Sequence, residues 1–178
     1  MSSKITGIVS CVPPRLIQNA FFDDYLDSKT ISSIEKMTGV KNRYWTSEEQ
    51  TTLDLCVSAA KHLEQKSETD FSSCDAIIFV SQTPDHILPG SSYIAHRELG
   101  LPKNCMCLDI SAGCSGYVLG LSIAHDLIAG GRYHKILLLA GDTISKTISP
   151  DDRSTAMIFG DAGTATMIEA SDEWKTPK

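Results

Sequence analysis

Three short apolar runs constrain this chain most: Cys74 to Val80, Cys105 to Ile110 and Lys135 to Ala140. Each has the length of a strand and is nearly continuous rather than alternating, the pattern of a strand covered on both faces. Helical patterns separate them. One covers Ser92 to Leu99 and stops at Gly100 and Pro102; another covers Cys114 to Ala129 and stops at Gly130-Gly131. An amphipathic helix over Thr51 to Gln65, with Leu53, Cys56, Val57, Ala60 and Leu63 on one face, precedes all three runs. Such alternation predicts an α/β fold, a mainly parallel sheet with helices on both faces. Two more strands are expected. Ile5 to Val12 is closed by Pro13-Pro14, and Thr164 to Ile168 is reached without a crossover helix, so it should run antiparallel. Near the N-terminus, Asn19 is expected to cap a helix through Asp27, and a second helix to run over Ser32 to Thr38 and end at Gly39. Tyr44-Trp45-Thr46 reads as extended and Lys66 to Ser73 as a polar loop. At 178 residues, with no repeat or linker, one domain spanning 1–178 is expected.

The junction after the second apolar run carries the chemistry. Ser111-Ala112-Gly113-Cys114-Ser115-Gly116 turns a buried strand sharply into an apolar helix. A helix N-terminus presents unpaired N–H groups and partial positive charge, conditions that favour a thiolate. The flanking glycines allow a tight turn and close approach of a substrate. Cys114 is therefore the candidate nucleophile; the competing reading is a small buried core residue.

Charge and cysteine usage exclude other classes. The net charge is -6 and no Lys/Arg run occurs, which argues against nucleic acid. No stretch approaches the roughly 18 apolar residues of a membrane span, and Met1-Ser2-Ser3-Lys4 leads into a strand pattern rather than a signal peptide, so a cytoplasmic setting is expected. The six cysteines form no C-x-x-C pair, so free thiols and no metal site are expected. Among the histidines, His125 lies about three turns along the helix from Cys114, out of reach as a base, and His86 lies in the loop after the first buried strand. Asp151-Asp152 beside Arg153 reads as a solvated or ion-paired turn, and Asp161 between glycines as a turn former.

The helix from Cys114 to Ile128 is apolar nearly all round, with only Ser115, Ser122 and Asp126 in a narrow polar stripe. A helix of that kind is normally buried on every side, but one sheet covers only one side. A partner subunit, or a further half of a larger protein, is expected on the other.

Several segments, in order, resemble one family. Asp109-Ile110-Ser111-Ala112-Gly113-Cys114-Ser115-Gly116 resembles the nucleophile segment of 3-oxoacyl-acyl-carrier-protein synthase III, a ketoacyl synthase of the thiolase superfamily. Thr38-Gly39-Val40 with Arg43, Gln82-Thr83-Pro84-Asp85 with Pro89, and Asp152-Arg153-Ser154-Thr155 followed by Ile158-Phe159-Gly160-Asp161-Ala162-Gly163 resemble further family segments. The resemblance covers nearly the whole chain. It implies the N-terminal half of a thiolase-like fold, a five-stranded mixed, mostly parallel sheet in the order 3-2-1-4-5, with the second half absent from this sequence.

By the same resemblance, Cys114 takes an acyl group as a thioester and then receives the carbanion formed by decarboxylation of malonyl-acyl carrier protein. Its own N–H would form part of an oxyanion hole. Phe159 would line the acyl pocket, Leu88 would reach a partner's pocket across a homodimer paired through the strand Cys105 to Ile110, and Arg153 would lie near CoA phosphates. The implied partners are acyl carrier protein, acyl-CoA or another acyl thioester, and the C-terminal half that would carry the family's catalytic His and Asn; no cofactor is implied. The 178 residues alone are accordingly not expected to complete the condensation. Ser33 and Met37 stand where the family has a Trp and an Arg that sandwich the CoA adenine, and can neither stack strongly nor pair with phosphate. Two alternatives remain open: a non-catalytic thiolase-like scaffold or partner subunit, and a hydroxymethylglutaryl-CoA-synthase-like or thiolase-like enzyme. The Asp-Arg-x-Thr and Thr-Gly-Val segments favour synthase III.

Overall fold

The computed structural model describes residues 1–67 and 69–172. The expected single domain of 1–178 and the expected polar loop over 66–73 thus each include residues outside those described. The main sheet has five strands: β1 (Ser2–Cys11), β4 (Ala76–Val80), β5 (Met106–Ile110), β6 (Lys135–Asp142) and β7 (Ala162–Ser171). β4 pairs in parallel with both β5 and β6, whereas β7 is antiparallel to β6 and to β1. Four strands therefore share one direction, and the last strand is antiparallel as its lack of a crossover helix predicts.

The order across the sheet corrects one expectation. Numbered along the chain, the five strands lie in the order 3-2-4-5-1, not 3-2-1-4-5. The reason is visible in β1 itself. Its residues are half-buried or exposed throughout, as suits an edge strand, while every residue of β4 is buried. Two of the continuous apolar runs, β4 and β6, lie inside the sheet and the third, β5, forms one edge; the polar-rich first strand adds to the outside of β7.

The faces of the sheet follow the two-residue side-chain period. Ile77, Phe79, Leu137, Leu139, Ala165 and Met167 pack with Leu53, Cys56, Ala60 and Leu63 of helix α2 (Thr52–Ser67) and with Ala95 of α3 (Ser91–Glu98). Ala76, Ile78, Val80, Ile136, Leu138 and Ile168 pack with Ala124 and Ile128 of α4 (Gly116–Ala129).

A separate lobe holds a two-stranded antiparallel sheet that the sequence showed only in part, β2 (Arg15–Gln18) against β3 (Asn42–Trp45). With helix α1 (Ser28–Thr38) it builds a second cluster of Ile17, Phe22, Leu26, Ile31, Ile34, Trp45 and Met157. Two helix expectations change here. Residues Asn19–Asp24 form a 3-10 turn, because the Asn19 side chain is committed to Glu35, the Val40 carbonyl and Arg43 rather than to capping. Helix α1 starts at Ser28 because the Asp27 carboxylate accepts from the N–H groups of Lys29 (3.1 Å) and Thr30 (3.0 Å), and it ends at Gly39 with φ of 73°. The Arg43 guanidinium is buried over the Phe22 ring, 5.1 Å from its centroid, and burial pushes its pKa down.

Candidate active site

After β4 the chain crosses by α3 to β5 on one face of the sheet, and α4 returns it to β6 on the other. The carboxyl ends of β4 and β6 are therefore a topological switch point, where open α/β sheets bind ligands. The nucleophile turn arrives at this place. β5 ends at Ile110, Gly116 N–H donates to the Gly113 carbonyl at 2.7 Å, and α4 begins at Gly116, with Cys114 exposed two residues before it. The helix sits hard against the sheet. A Cβ on Gly116 would lie 2.6 Å from Val80 Cγ1, and one on Gly120 would lie 2.7 Å from Leu138 Cδ1. Glycine at these two positions is what lets α4 approach closely enough to aim its N-terminus over the strand ends.

Two cavities open beside the sulfur. One of about 350 Å³ is bounded by Ile8, Val80, Ala112, Tyr117 and Thr164 as well as Cys114. The other, about 260 Å³, is bounded by Gln82, Gly113, Cys114, Ile144, Phe159 and Gly160. Asp142 and Ala162 border both.

Two carboxylates that the sequence did not single out for the site fix its walls. Asp142 Oδ1 accepts from Ser81 Oγ (2.9 Å), Gln82 N–H (2.9 Å), Thr83 N–H (3.0 Å) and Thr83 Oγ1 (2.9 Å), tying the loop after β4 to the end of β6. Its signal in the sequence was a polar residue closing a buried run at a strand's carboxyl end. Asp161, only 2% exposed, accepts from Thr46 N–H (2.7 Å) and Oγ1 (2.8 Å) and from Ser145 N–H (2.9 Å). It therefore joins β3, the segment after β6 and the turn carrying Phe159 and Gly160. It is a turn residue, as expected, and also a buried hub.

The residues expected at the site divide into two groups. Cys114 and Phe159 border the same cavity, and the Phe159 carbonyl is held by Trp45 Nε1 at 3.1 Å. Leu88 is not near them: it is 90% exposed in the loop before α3 and borders neither cavity. Arg153 is exposed in the turn after β6, close to Asp27 at the start of α1, where Ser33 and Met37 are also exposed. Asp152 forms a local turn with Ser154 and Thr155, whose hydrogen bonds lower its pKa to about 2. Among the described residues no histidine borders either cavity beside Cys114; His86 borders two others. All six cysteines are free thiols.

Comparison with known proteins agrees with this geometry. Residues 108–177 match the family of 3-oxoacyl-[acyl-carrier-protein (ACP)] synthase III. A 3-oxoacyl-(acyl-carrier protein) synthase from Burkholderia xenovorans LB400 is 42% identical and superimposes with a TM-score of 0.94, over 97% of this chain and 50% of that one. The beta-ketoacyl-[acyl-carrier-protein] synthase III of Streptococcus sanguinis strain SK36 is 34% identical over 171 residues, 96% of this chain and 52% of its own length. The priming beta-ketosynthase of the R1128 polyketide biosynthetic pathway is 28% identical with a TM-score of 0.89, over 97% of this chain and 51% of that one. The chain thus spans about half the length of the curated relatives it matches. It matches the 3-oxoacyl-[acyl-carrier-protein] synthase III family over residues 108–177 and, over nearly its whole length, resembles an N-terminal half of such proteins.

Proposed function

We propose that this chain is the acyl-accepting part of a ketoacyl synthase III-type acyltransferase, with Cys114 as the nucleophile. The observation that carries the reading is an exposed thiol at a glycine-bounded turn, two residues before a helix N-terminus and bordering both cavities at the switch point of the sheet. In the first step the Cys114 thiolate attacks the carbonyl carbon of an acyl thioester, the tetrahedral oxyanion collapses, and the donor thiol leaves. In the second, malonyl on acyl carrier protein loses carbon dioxide, its carbanion attacks the acyl-Cys114 carbonyl, and the cysteine thiolate is released. The Cys114 N–H supplies one donor to the oxyanion. Phe159 and Ile144 supply the apolar wall for the acyl group.

Groups to assist decarboxylation are assigned to a second half, because no histidine among the described residues borders the sulfur's cavities. That half would also cover the exposed side of α4. The edge strand β5 and the exposed Leu88 suit a homodimer in which Leu88 serves the partner's pocket. Acyl-CoA or another acyl thioester is the donor. Among the described residues no helix is long and apolar enough to cross a membrane; a cytoplasmic setting belongs to the same reading.

Intact-mass measurement after incubation with acyl-CoA and with acyl-acyl carrier protein tests the first step. The expected result is one acyl adduct, absent in Cys114→Ala. An adduct that survives this substitution overturns the nucleophile assignment and favours the scaffold reading. Ketoacyl product from the 178 residues alone would overturn the assignment of the second step to another half.

A further inference from the structure

The wall of the smaller cavity beside Cys114 contains a polar group with nothing to do in the protein. The Gln82 backbone is fixed, since its N–H, the Thr83 N–H and the hydroxyls of Ser81 and Thr83 converge on Asp142 Oδ1. Its carboxamide lies against the nucleophile turn: a Cβ built on Gly113 would be 2.8 Å from Gln82 Oε1, 3.4 Å from Cδ and 3.7 Å from Nε2. A side chain at Gly113 would push the carboxamide away from the turn. Among the described residues the carboxamide makes no hydrogen bond, so both its donor and its acceptor are free toward a cavity of about 260 Å³. Apart from Asp142 the rest of that wall is largely apolar and includes Ile144 and Phe159.

We propose that Gln82 is a specificity-determining residue, which selects acyl groups bearing a hydroxyl or keto oxygen close to the thioester over plain alkanoyl groups of the same length. The inference rests on Cys114 as the acyl acceptor. An acyl chain bonded to its sulfur begins at the wall that Gly113 and Gln82 form, so the first carbons beyond the thioester pass the carboxamide. A carboxamide pairs with a hydroxyl as donor or acceptor, but a methylene offers it nothing and displaces its water. Ile144 and Phe159 are left for a short apolar tail. Asp142 acts here as a positioning residue, holding the backbone from which Gln82 projects.

The test is a competition for Cys114 in the native chain and in Gln82→Leu, a change at an exposed position without side-chain bonds. Equal amounts of 3-hydroxybutyryl and butyryl thioesters are supplied, and the adducts are weighed by intact mass. One net neutral hydrogen bond predicts a preference for the hydroxyacyl group about three- to tenfold greater in the native chain than in Gln82→Leu. A second arm needs no enzymatic acylation. The chain is equilibrated with mixed disulfides of 2-mercaptoethanol and 1-propanethiol, so that Cys114 displaces one thiol and carries either a hydroxyethyl or a propyl group; Cys114→Ala identifies the site. The same relative enrichment of the hydroxylated adduct is expected. An unchanged ratio between native and Gln82→Leu in this arm overturns the proposal. Failure of acylation with every thioester counts against the proposed function alone, because the disulfide arm still decides the role of Gln82.

Discussion

On one face of the sheet the apolar side of α2 is closed in completely. Cys56 is wholly buried, burial pushes its thiol up to about 12, and a Cβ on Gly163 of β7 would fall 2.5 Å from the Cys56 backbone nitrogen. On the other face α4 packs as closely through Gly116 and Gly120, but its opposite side is bare, with Val118 67% and Leu119 44% exposed. Ile5 and Ile8 on neighbouring β1 are exposed as well. Both helices are apolar where they meet strands, so the difference lies in what covers their backs. α2 has a polar back and needs nothing more. α4 has an apolar back and presents its N-terminus, with Cys114, at the open end. The closed face makes the fold stable; the open face presents the proposed nucleophile.

The largest effect that separates the two faces is thiol accessibility. Iodoacetamide on the native chain should label Cys114 at least on the order of a thousandfold faster than Cys56, since Cys56 must wait for an opening that costs several kcal/mol. Peptide mapping of timed quenches reads the ratio. Similar rates at the two sites would mean that α2 is not closed onto β7.

Core truncations sharpen the contrast at the next scale. Leu63→Ala on α2 removes a side chain buried against the sheet and should cost about 2–5 kcal/mol. Val118→Ala on the bare side of α4 should change stability by no more than about 0.5 kcal/mol. Urea unfolding of both variants decides it, and a large loss for Val118→Ala would show that something already covers that side in solution.

How much of this was legible beforehand depended on range. The buried strands and the strand-to-helix turn at Cys114 were readable because each is written in a local pattern, a continuous apolar run in β4 or a cysteine between glycines after β5. The bare side of α4 was readable from its wheel alone. The place of β1 was legible in principle from its polar-rich composition, but the family resemblance pointed to the centre of the sheet and the local pattern yielded to it. The β2–β3 pairing and the Asp161 hub were not legible, because partners such as Ile17 and Arg43, or Thr46, Ser145 and Asp161, lie apart along the chain and no local pattern links them. Asp27 looked like the end of a helix and is in fact the cap of the next one, a distinction that only its bonds to Lys29 and Thr30 reveal.

The smallest expected effect concerns the turn that leads toward Phe159 on the open side. Hydrogen bonds from Ser154 and Thr155 hold the exposed Asp152 carboxyl at a pKa of about 2, against an ordinary value of 3.8. A carboxyl whose pKa is lower in the folded chain than in the unfolded one stabilises the fold when ionised. Its contribution is therefore complete above about pH 4 and disappears as the pH falls through about 2. Because the group is exposed, the effect should be small and local. Asp152→Asn should lower the melting temperature slightly at pH 7, leave it unchanged near pH 2, and so flatten part of its decline between pH 4 and pH 2. The closed face offers a control: Leu63→Ala should lower the melting temperature without altering the shape of that acid decline. If Asp152→Asn leaves the decline as steep as in the native chain, the Ser154 and Thr155 hydrogen bonds do not hold the turn in solution, and Phe159 loses the support that this turn provides.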